Sequence, residues 1–382
     1  MDLRYTDEEE RFRSELRAWL ERTLPALGPK PPADDWPARR AFDTHWQRLL
    51  RDAGYAGVDW PADGGGRGAS PVEQLIYVEE LERAHAPYVG VNFVGLLHAG
   101  PTIAVEGTDE QRARYLPPIL AGEEVWCQGF SEPDAGSDLA SLRTRAVRRG
   151  DDYVVNGSKI WTSHAEVADQ CELLVRTGPE DSRHRGITWL IMPMDAPGIE
   201  VRPLRTIAGT TEFAELFLDD VRIPVANRVG DEDDGWRVTM VTLGFERGTA
   251  FVGELLQSME LLRGIRDADP SGSLTARIGH AAAELDALWA LVRRNVSQAA
   301  RTGVPGVGGS VFKLAFSELR QRLGELGMEV AGRSGLTWDE LGSGNAELVD
   351  TWVNSFSRTI AAGTSQIQRN IVAERILGLP KG

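Results

Sequence analysis

The sequence predicts an α+β protein laid out in three consecutive parts: an N-terminal helical domain over residues 1–122, a middle antiparallel β domain over 123–230, and a C-terminal four-helix bundle over 231–382. Three observations carry this expectation. Apolar residues recur at helical spacing as far as about residue 122. Near Glu123 the pattern changes to short runs rich in Val, Ile, Leu and Trp, bounded by Gly, Asp and Pro. Helical spacing then returns after the acidic linker Gly230–Gly235 and persists to the end.

Length and composition set the outer limits. A chain of 382 residues exceeds one ordinary core, so two or three domains are expected. Its 42% hydrophobic and 26% charged residues are those of a globular protein and argue against disorder and fibres. A formal charge of −15 repels phosphate backbones, and the mostly arginine basic residues form no long run, which argues against nucleic acid as a partner. Cys127 and Cys171 have neither CxxC nor Cys/His spacing, so no disulfide framework and no metal site is expected, and a reducing cytoplasm fits. The N-terminus is acidic without an apolar signal core, and no stretch approaches the roughly 18 apolar residues of a membrane span. No membrane association is expected.

The elements follow in order. Phe12, Leu16, Trp19 and Leu20 mark a helix from Thr6 to Leu24, with Thr6 and Glu9 spaced as a capping box. A Pro-rich connector, Pro25 to Pro37, leads to a second helix over Phe42–Ala53, and GYAGVDWPADGGGRG is then a long loop. Helices are predicted over Ser70–Ala84 and Tyr88–Val105, followed by a capped start at Thr108–Gln111. In the β region the expected strands are Asp152–Val155, Ile160–Thr162, Glu172–Val175, Ile187–Pro193, Ile199–Leu204 and Ala214–Leu218. Asn156-Gly157 is expected to be a hairpin turn between the first two, because both residues tolerate positive φ. Four C-terminal helices are predicted at Trp236–Arg266, Leu274–Arg301, Ser310–Gly332 and Asn345–Leu377. Their apolar stripes read as core or subunit seam.

The stretch Trp126–Ser163 is rich in small and hydroxyl residues whose backbone N–H groups can line a ligand that needs many hydrogen bonds. Four motifs in this order, GYAGVDWPADGGGRG, SEPDAGSD, NGSKIWTS and GTSQIQRNIVAERILGLP, resemble the acyl-CoA dehydrogenase family over essentially the whole chain. The resemblance implies FAD as cofactor and α,β-dehydrogenation of an acyl-CoA thioester, with electrons passed to an electron-transfer flavoprotein. By position it implies that Gln128, Phe130 and Ser131 line the flavin ring edge and that Ser137 contacts the pyrophosphate and substrate. It implies that Trp161 packs on the ring, that Ser163 stands where a threonine hydroxyl bonds flavin N5, and that Thr364 and Gln366 lie near the adenine and pyrophosphate. A competing reading makes Trp161 a buried strand aromatic.

The base is the main departure. Many relatives carry a glutamate just before GTSQ, where this chain has Ala361-Ala362-Gly363-Thr364. Isovaleryl-type members carry it in a Leu-x-x-Glu-Arg arrangement on the first C-terminal helix, matched here by Leu243-Gly244-Phe245-Glu246-Arg247, so the resemblance assigns the base to Glu246 and a substrate contact to Arg247. The alternative for Glu246 is a surface glutamate paired with an arginine. A glutamate's ordinary pKa of about 4.3 makes it a weak base, and desolvation by neighbours such as Val241, Leu243, Phe245, Phe251 and Val252 raises it. The backbone N–H of Ala362 keeps the family's hydrogen bond to the thioester oxygen, since alanine retains that donor. The Arg-x-x-Phe-Gly and Gln-x-x-Gly-Gly-x-Gly stretches with which homotetrameric relatives hold a neighbour's FAD find no clear match. The expected assembly is therefore a homo-oligomer, dimer or tetramer, or a heterotetramer with a related chain. A non-catalytic or half-site subunit of such a heteromer, and a flavin oxidase or monooxygenase on the same scaffold, are the alternatives.

Overall fold

The computed structural model describes residues 5–245, 251–303, 308–338 and 346–381. Helical, β and helical segments follow one another as expected. By proximity the chain forms two units that cut across these segments: residues 22–69 and 87–246 make one, and residues 1–21, 70–86 and 247–382 the other.

The first unit contains the sheet. Its strands are β1 (Trp126–Gly129), β2 (Arg145–Arg149), β3 (Asp152–Ser163), β4 (Gln170–Arg176), β5 (Ile187–Pro193), β6 (Ile199–Leu204), β7 (Phe213–Pro224) and β8 (Arg228–Val229). They lie in the order β6-β7-β3-β2-β4-β5-β8, with β1 beside β4. Most pairs are antiparallel as expected, but β1 runs parallel to β4, and β2 meets β4 in parallel at Arg145 and Arg176. Tyr153, Val155, Leu173, Val175, Leu190, Leu216 and Val221 form its buried core.

The expected hairpin at Asn156-Gly157 is not there. β3 continues through these residues as one 12-residue strand, so Ile160–Thr162 is no separate strand, and the turn falls at Gly150-Asp151, where Gly150 has φ 66°. Asn-Gly instead marks a shift in register against β7 between Val155 and Gly157. A Cβ on Gly157 would come within 2.7 Å of Thr144 Cα, and the Asn156 amide exchanges hydrogen bonds with Asp220. Bulges use the same residues as tight turns, and local sequence does not separate the two. The polar strand β2, four of whose five residues are exposed, carries no alternating signal and is not among the expected strands.

Among this unit's helices, α2 (Trp36–Asp52) begins at Trp36 rather than Phe42. Asp35 accepts from the Ala38 N–H, and Pro37 occupies the first turn, where no donor is missed. The expected helix Tyr88–Val105 is broken into a 3₁₀ turn (Gly90–Asn92), a π turn (Gly95–Ala99) and α4 (Gly100–Glu106). The chain packs closely here: a Cβ on Gly90 would meet the Asp43 carboxylate, and one on Gly100 the Trp60 ring, each at 2.1 Å. Helix α5 (Asp109–Ala121) starts with the expected Thr108–Gln111 capping box, and α6 (Gly235–Phe245) follows the sheet.

In the second unit, α3 (Pro71–Arg83), α7 (Val252–Asp267), α8 (Thr275–Thr302) and α9 (Gly308–Ala331) share a core that includes Leu75, Leu255, Ile265, Leu285, Phe316, Leu319 and Leu323. The first part of α1 (Asp7–Leu27) belongs here too, and Arg13 and Arg17 bind the buried carboxylate of Glu80. The expected last helix, Asn345–Leu377, is interrupted. Helix α10 (Ala346–Arg358) ends in a turn that places Ala362 (φ 51°) and Gly363 (φ 84°) in the left-handed region before α11 (Ser365–Ile371). The predicted helix Trp236–Arg266 is described as α6 and α7; residues 246–250 between them lie outside the described residues.

Candidate functional site

Phe130 is buried at the end of β1, and the SEPDAGSD loop leaves the sheet from there. An ion pair inside the unit pins this loop to β3. Lys159 Nζ, fully buried, donates to Glu132 Oε1 at 2.8 Å and to the Phe130 carbonyl at 3.1 Å. The Glu132 carboxylate also accepts from the backbone N–H groups of Arg143 (2.6 Å) and Thr144 (2.8 Å). Burial by itself would raise the Glu132 carboxyl, but the Lys159 ammonium and these donors hold it below its ordinary value. Burial pulls the Lys159 ammonium down, against the pull of Glu132. A buried charge pair of this kind survives desolvation only when further hydrogen bonds satisfy it, as these do.

The same clamp orders the residues the sequence singles out in this unit. The Ile160 N–H donates to the Ser131 carbonyl at 2.9 Å, which sets Ser131 beside the residue preceding Trp161. Between Lys159 and Thr162 the register against β7 shifts a second time, and Trp161 takes φ 62°. A bulky residue adopts that conformation only under compulsion from its surroundings. The result is an indole 56% exposed, touching Phe213 edge-on at 5.9 Å; the reading of Trp161 as a buried strand aromatic does not hold. Half-buried Ser163 follows at the strand end, and Ser137 sits exposed in the loop. Beneath them the buried Thr162 hydroxyl makes no hydrogen bond among the described residues.

Gln128, also on β1, is half-buried and donates to the fully buried Glu172 at 2.6 Å. His164, just after Ser163, packs against Trp36 and Phe93, and burial, reinforced by Arg39, lowers its pKa to about 4. Among the described residues no His, Cys, Asp and Glu cluster is arranged to hold a metal ion, and no described helix is long and apolar enough to cross a membrane.

Ala362, Thr364 and Gln366 belong to the other unit, on the turn between α10 and α11. Lys313 of α9 spans this turn, donating to the carbonyls of Arg358 (2.9 Å) and Gly363 (2.7 Å). Burial, with a contribution from Arg358, lowers its pKa to about 8. Gln368 donates to the Ala362 carbonyl at 3.0 Å, and the Thr364 hydroxyl accepts from the Ile367 N–H at 3.2 Å. Ala362 is exposed, and its N–H makes no hydrogen bond among the described residues, so the left-handed turn offers a free backbone donor. Gln366 is exposed on the same turn. Glu246 and Arg247 lie outside the described residues.

The sequence singles out SEPDAGSD and NGSKIWTS but gives no role to Glu132 or Lys159 within them. A lone lysine in NGSKIWTS is the available signal; SEPDAGSD holds three acids, Glu132, Asp134 and Asp138, and only the fold shows which of them it pairs with. His98 and Glu172 carry none, since their partnership with Gln128 exists only in the fold.

Three family models match the chain in order: the acyl-CoA dehydrogenase N-terminal domain over residues 6–123, the middle domain over 127–221 and the C-terminal domain over 233–377. The chain is 40% identical to the acyl-CoA dehydrogenase IpdE1 of Mycobacterium tuberculosis, over 97% of this chain and 98% of that protein. It superposes on a chain of the ChsE4-ChsE5 complex from Mycobacterium tuberculosis with a TM-score of 0.84 at 33% identity, and on a chain of the Tcur3481-Tcur3483 steroid ACAD with a TM-score of 0.84 at 30%, covering 100% of this chain and 100% of that chain in each case. Matched along its whole length in sequence and fold, the chain belongs to the acyl-CoA dehydrogenase family, oxidoreductases that act on CH–CH groups and are generally flavoproteins.

Proposed function

We propose that this chain is an FAD-dependent enzyme that introduces an α,β double bond into an acyl-CoA thioester, with Glu246 as the base. The observation that carries the reading is Trp161, an aromatic face forced outward at positive φ beside Ser163 and the clamped Phe130–Ser131 segment. A flat, apolar ring with polar edges fits there: an indole to pack on, hydroxyls at the rim, and a loop of small residues toward Ser137. When bound, the flavin supplies a hydride acceptor at N5.

The chain's own residues do the rest. Glu246 removes the α-proton, and Arg247 contacts the substrate. The free Ala362 N–H hydrogen-bonds the thioester oxygen and stabilises charge that develops there as the proton leaves. Thr364 and Gln366, on the turn held by Lys313, contact the adenine and pyrophosphate side of FAD. In this reading residues 123–230 carry flavin and acyl-CoA contacts, and residues 231–382 the base and the subunit contacts.

The substrate is a bulky acyl-CoA: the base is assigned to Leu243-Gly244-Phe245-Glu246-Arg247, as in isovaleryl-type members, rather than to the position before GTSQ, and one structural relative is a steroid ACAD. An electron-transfer flavoprotein is the electron acceptor. The chain assembles with a related subunit: two structural relatives, ChsE4-ChsE5 and Tcur3481-Tcur3483, are pairs of proteins, and the two stretches that hold a neighbour's FAD in homotetramers find no clear match in this sequence. The test is to purify the chain alone and with its co-expressed genomic neighbour, record the visible spectrum, and add a panel of acyl-CoAs without oxygen. A flavin spectrum bleached by bulky acyl-CoAs is expected. A colourless protein in both preparations contradicts the enzyme reading.

A further inference from the structure

Three polar side chains meet on one face of the sheet: Gln128 on β1, Glu172 on β4 and His98 in the π turn. Gln128 and Glu172 are cross-strand partners in the parallel β1–β4 pair, so both leave the sheet on the same face. Gln128 Nε2 lies 2.6 Å from Glu172 Oε1 and 3.4 Å from His98 Nδ1, and His98 Nδ1 is 3.8 Å from the same carboxylate oxygen. Glu172 is completely buried. A carboxylate only accepts hydrogen bonds, so the amide must turn its NH₂ toward it. Burial lowers the His98 pKa to about 4, which leaves the imidazole neutral near pH 7, and a neutral Nδ1 facing an amide NH₂ is an acceptor. Both amide hydrogens are then consumed inside the protein. What remains is Gln128 Oε1, on a half-buried side chain whose hydrogen bonds to the described residues are all made through Nε2.

We propose that Glu172 and His98 are positioning residues that lock the Gln128 amide with both hydrogens turned inward, so that Gln128 presents a carbonyl acceptor, and only that, to a hydrogen-bond donor on the ligand bound beside β1. The inference rests on the flavin reading above. It adds that the site discriminates by polarity at this point, because an amide free to rotate would serve donors and acceptors alike. Gln128 is the residue in contact with ligand; Glu172 and His98 act through it.

The test is a double-mutant cycle read by binding. FAD is titrated into apoprotein, and an acyl-CoA into the flavin-loaded protein, for the wild type, Gln128→Met, Glu172→Gln and the double variant. Glu172→Gln substitutes an amide, with a donor and an acceptor at nearly the same volume, for a group that only accepts, so the orientation of Gln128 is no longer dictated. Each single change is expected to weaken one of the two ligands about tenfold, the loss of roughly one hydrogen bond. The double variant is expected to be no weaker than Gln128→Met alone, because Glu172 works only through Gln128. Coupling in the FAD titration places the donor on the flavin; coupling in the acyl-CoA titration places it on the substrate. A Glu172→Gln protein that binds both ligands like wild type, or losses that add in the double variant, overturns the proposal. If Glu172→Gln does not fold, His98→Leu removes the other acceptor without touching the β4 core and reads the same coupling. Wild-type apoprotein that fails to bind FAD is a separate outcome, which overturns the flavin reading and this inference with it.

Discussion

Trp161 combines two costs that a surface residue has no reason to carry: a left-handed backbone and an exposed indole. Strain of this kind costs on the order of 1–3 kcal/mol and persists where the rest of the structure overrides it. Here the override is visible, with the register shift on one side and the Lys159–Glu132 clamp two residues away. Removing the ring therefore separates fold from function. Trp161→Ala is expected to leave thermal stability unchanged or slightly raised while weakening FAD binding by at least tenfold, measured by titration of apoprotein. Lys159→Met behaves oppositely. It leaves Glu132 buried without its cation, a loss of about 3 kcal/mol by the usual cost of breaking a buried pair. The pH dependence carries a sign. The folded-state pKa of Glu132 is depressed, so its contribution is present above the ordinary carboxylate range and disappears as pH falls through the depressed value. In Lys159→Met that depression is reduced, and acid unfolding should move to higher pH, followed by far-UV circular dichroism across a pH series.

At the scale of elements, what is legible in the sequence depends on whether the signal is local. The Thr108–Gln111 capping box, the strand Ile187–Pro193 and the apolar stripe of α8 (Ile278, Leu285, Leu288 and Val292) are encoded within a few residues, and all stand where the pattern puts them. Asn156-Gly157 carries an equally local signal that leads to the wrong element, because a bulge and a hairpin ask the same of their residues. Only the pairing of β3 with both β2 and β7 decides between them, and pairing is non-local. The break in the last helix is hidden for a related reason: Ala362 gives no warning of a left-handed turn, which is imposed by Lys313 and Gln368 from sequence-distant and downstream positions. The site divides in the same way. The candidates Trp161, Ser163 and Thr364 are proposed from motifs, whereas the residues that order their segments, Glu132, Lys159 and Lys313, are defined by three-dimensional partners. The bulge is testable on its own. Gly157→Ala places a methyl group about 2.7 Å from Thr144 Cα, and a fall in stability of about 2 kcal/mol in urea unfolding is expected, within the range for overpacking a closed site.

For the whole molecule, family membership rests on matches that run along the entire chain, and the proposed activity follows from departures as much as from agreements. Alanine at position 362 withdraws the side chain that serves many relatives as base while leaving its backbone donor exposed. If assembly with a related chain completes the cofactor sites, co-expression should raise the flavin content per chain, measured by absorbance after denaturation, above that of the chain purified alone. The most direct test of the central claim concerns Glu246. Flavin-loaded wild type and Glu246→Gln are mixed without oxygen with an acyl-CoA that bleaches the wild type, and flavin absorbance is followed in a stopped-flow cell. Equal flavin content is predicted in the two proteins, with reduction slowed about a thousandfold in Glu246→Gln, at the scale of losing general-base catalysis. Reduction at the wild-type rate would remove Glu246 from the mechanism and contradict its assignment as the base.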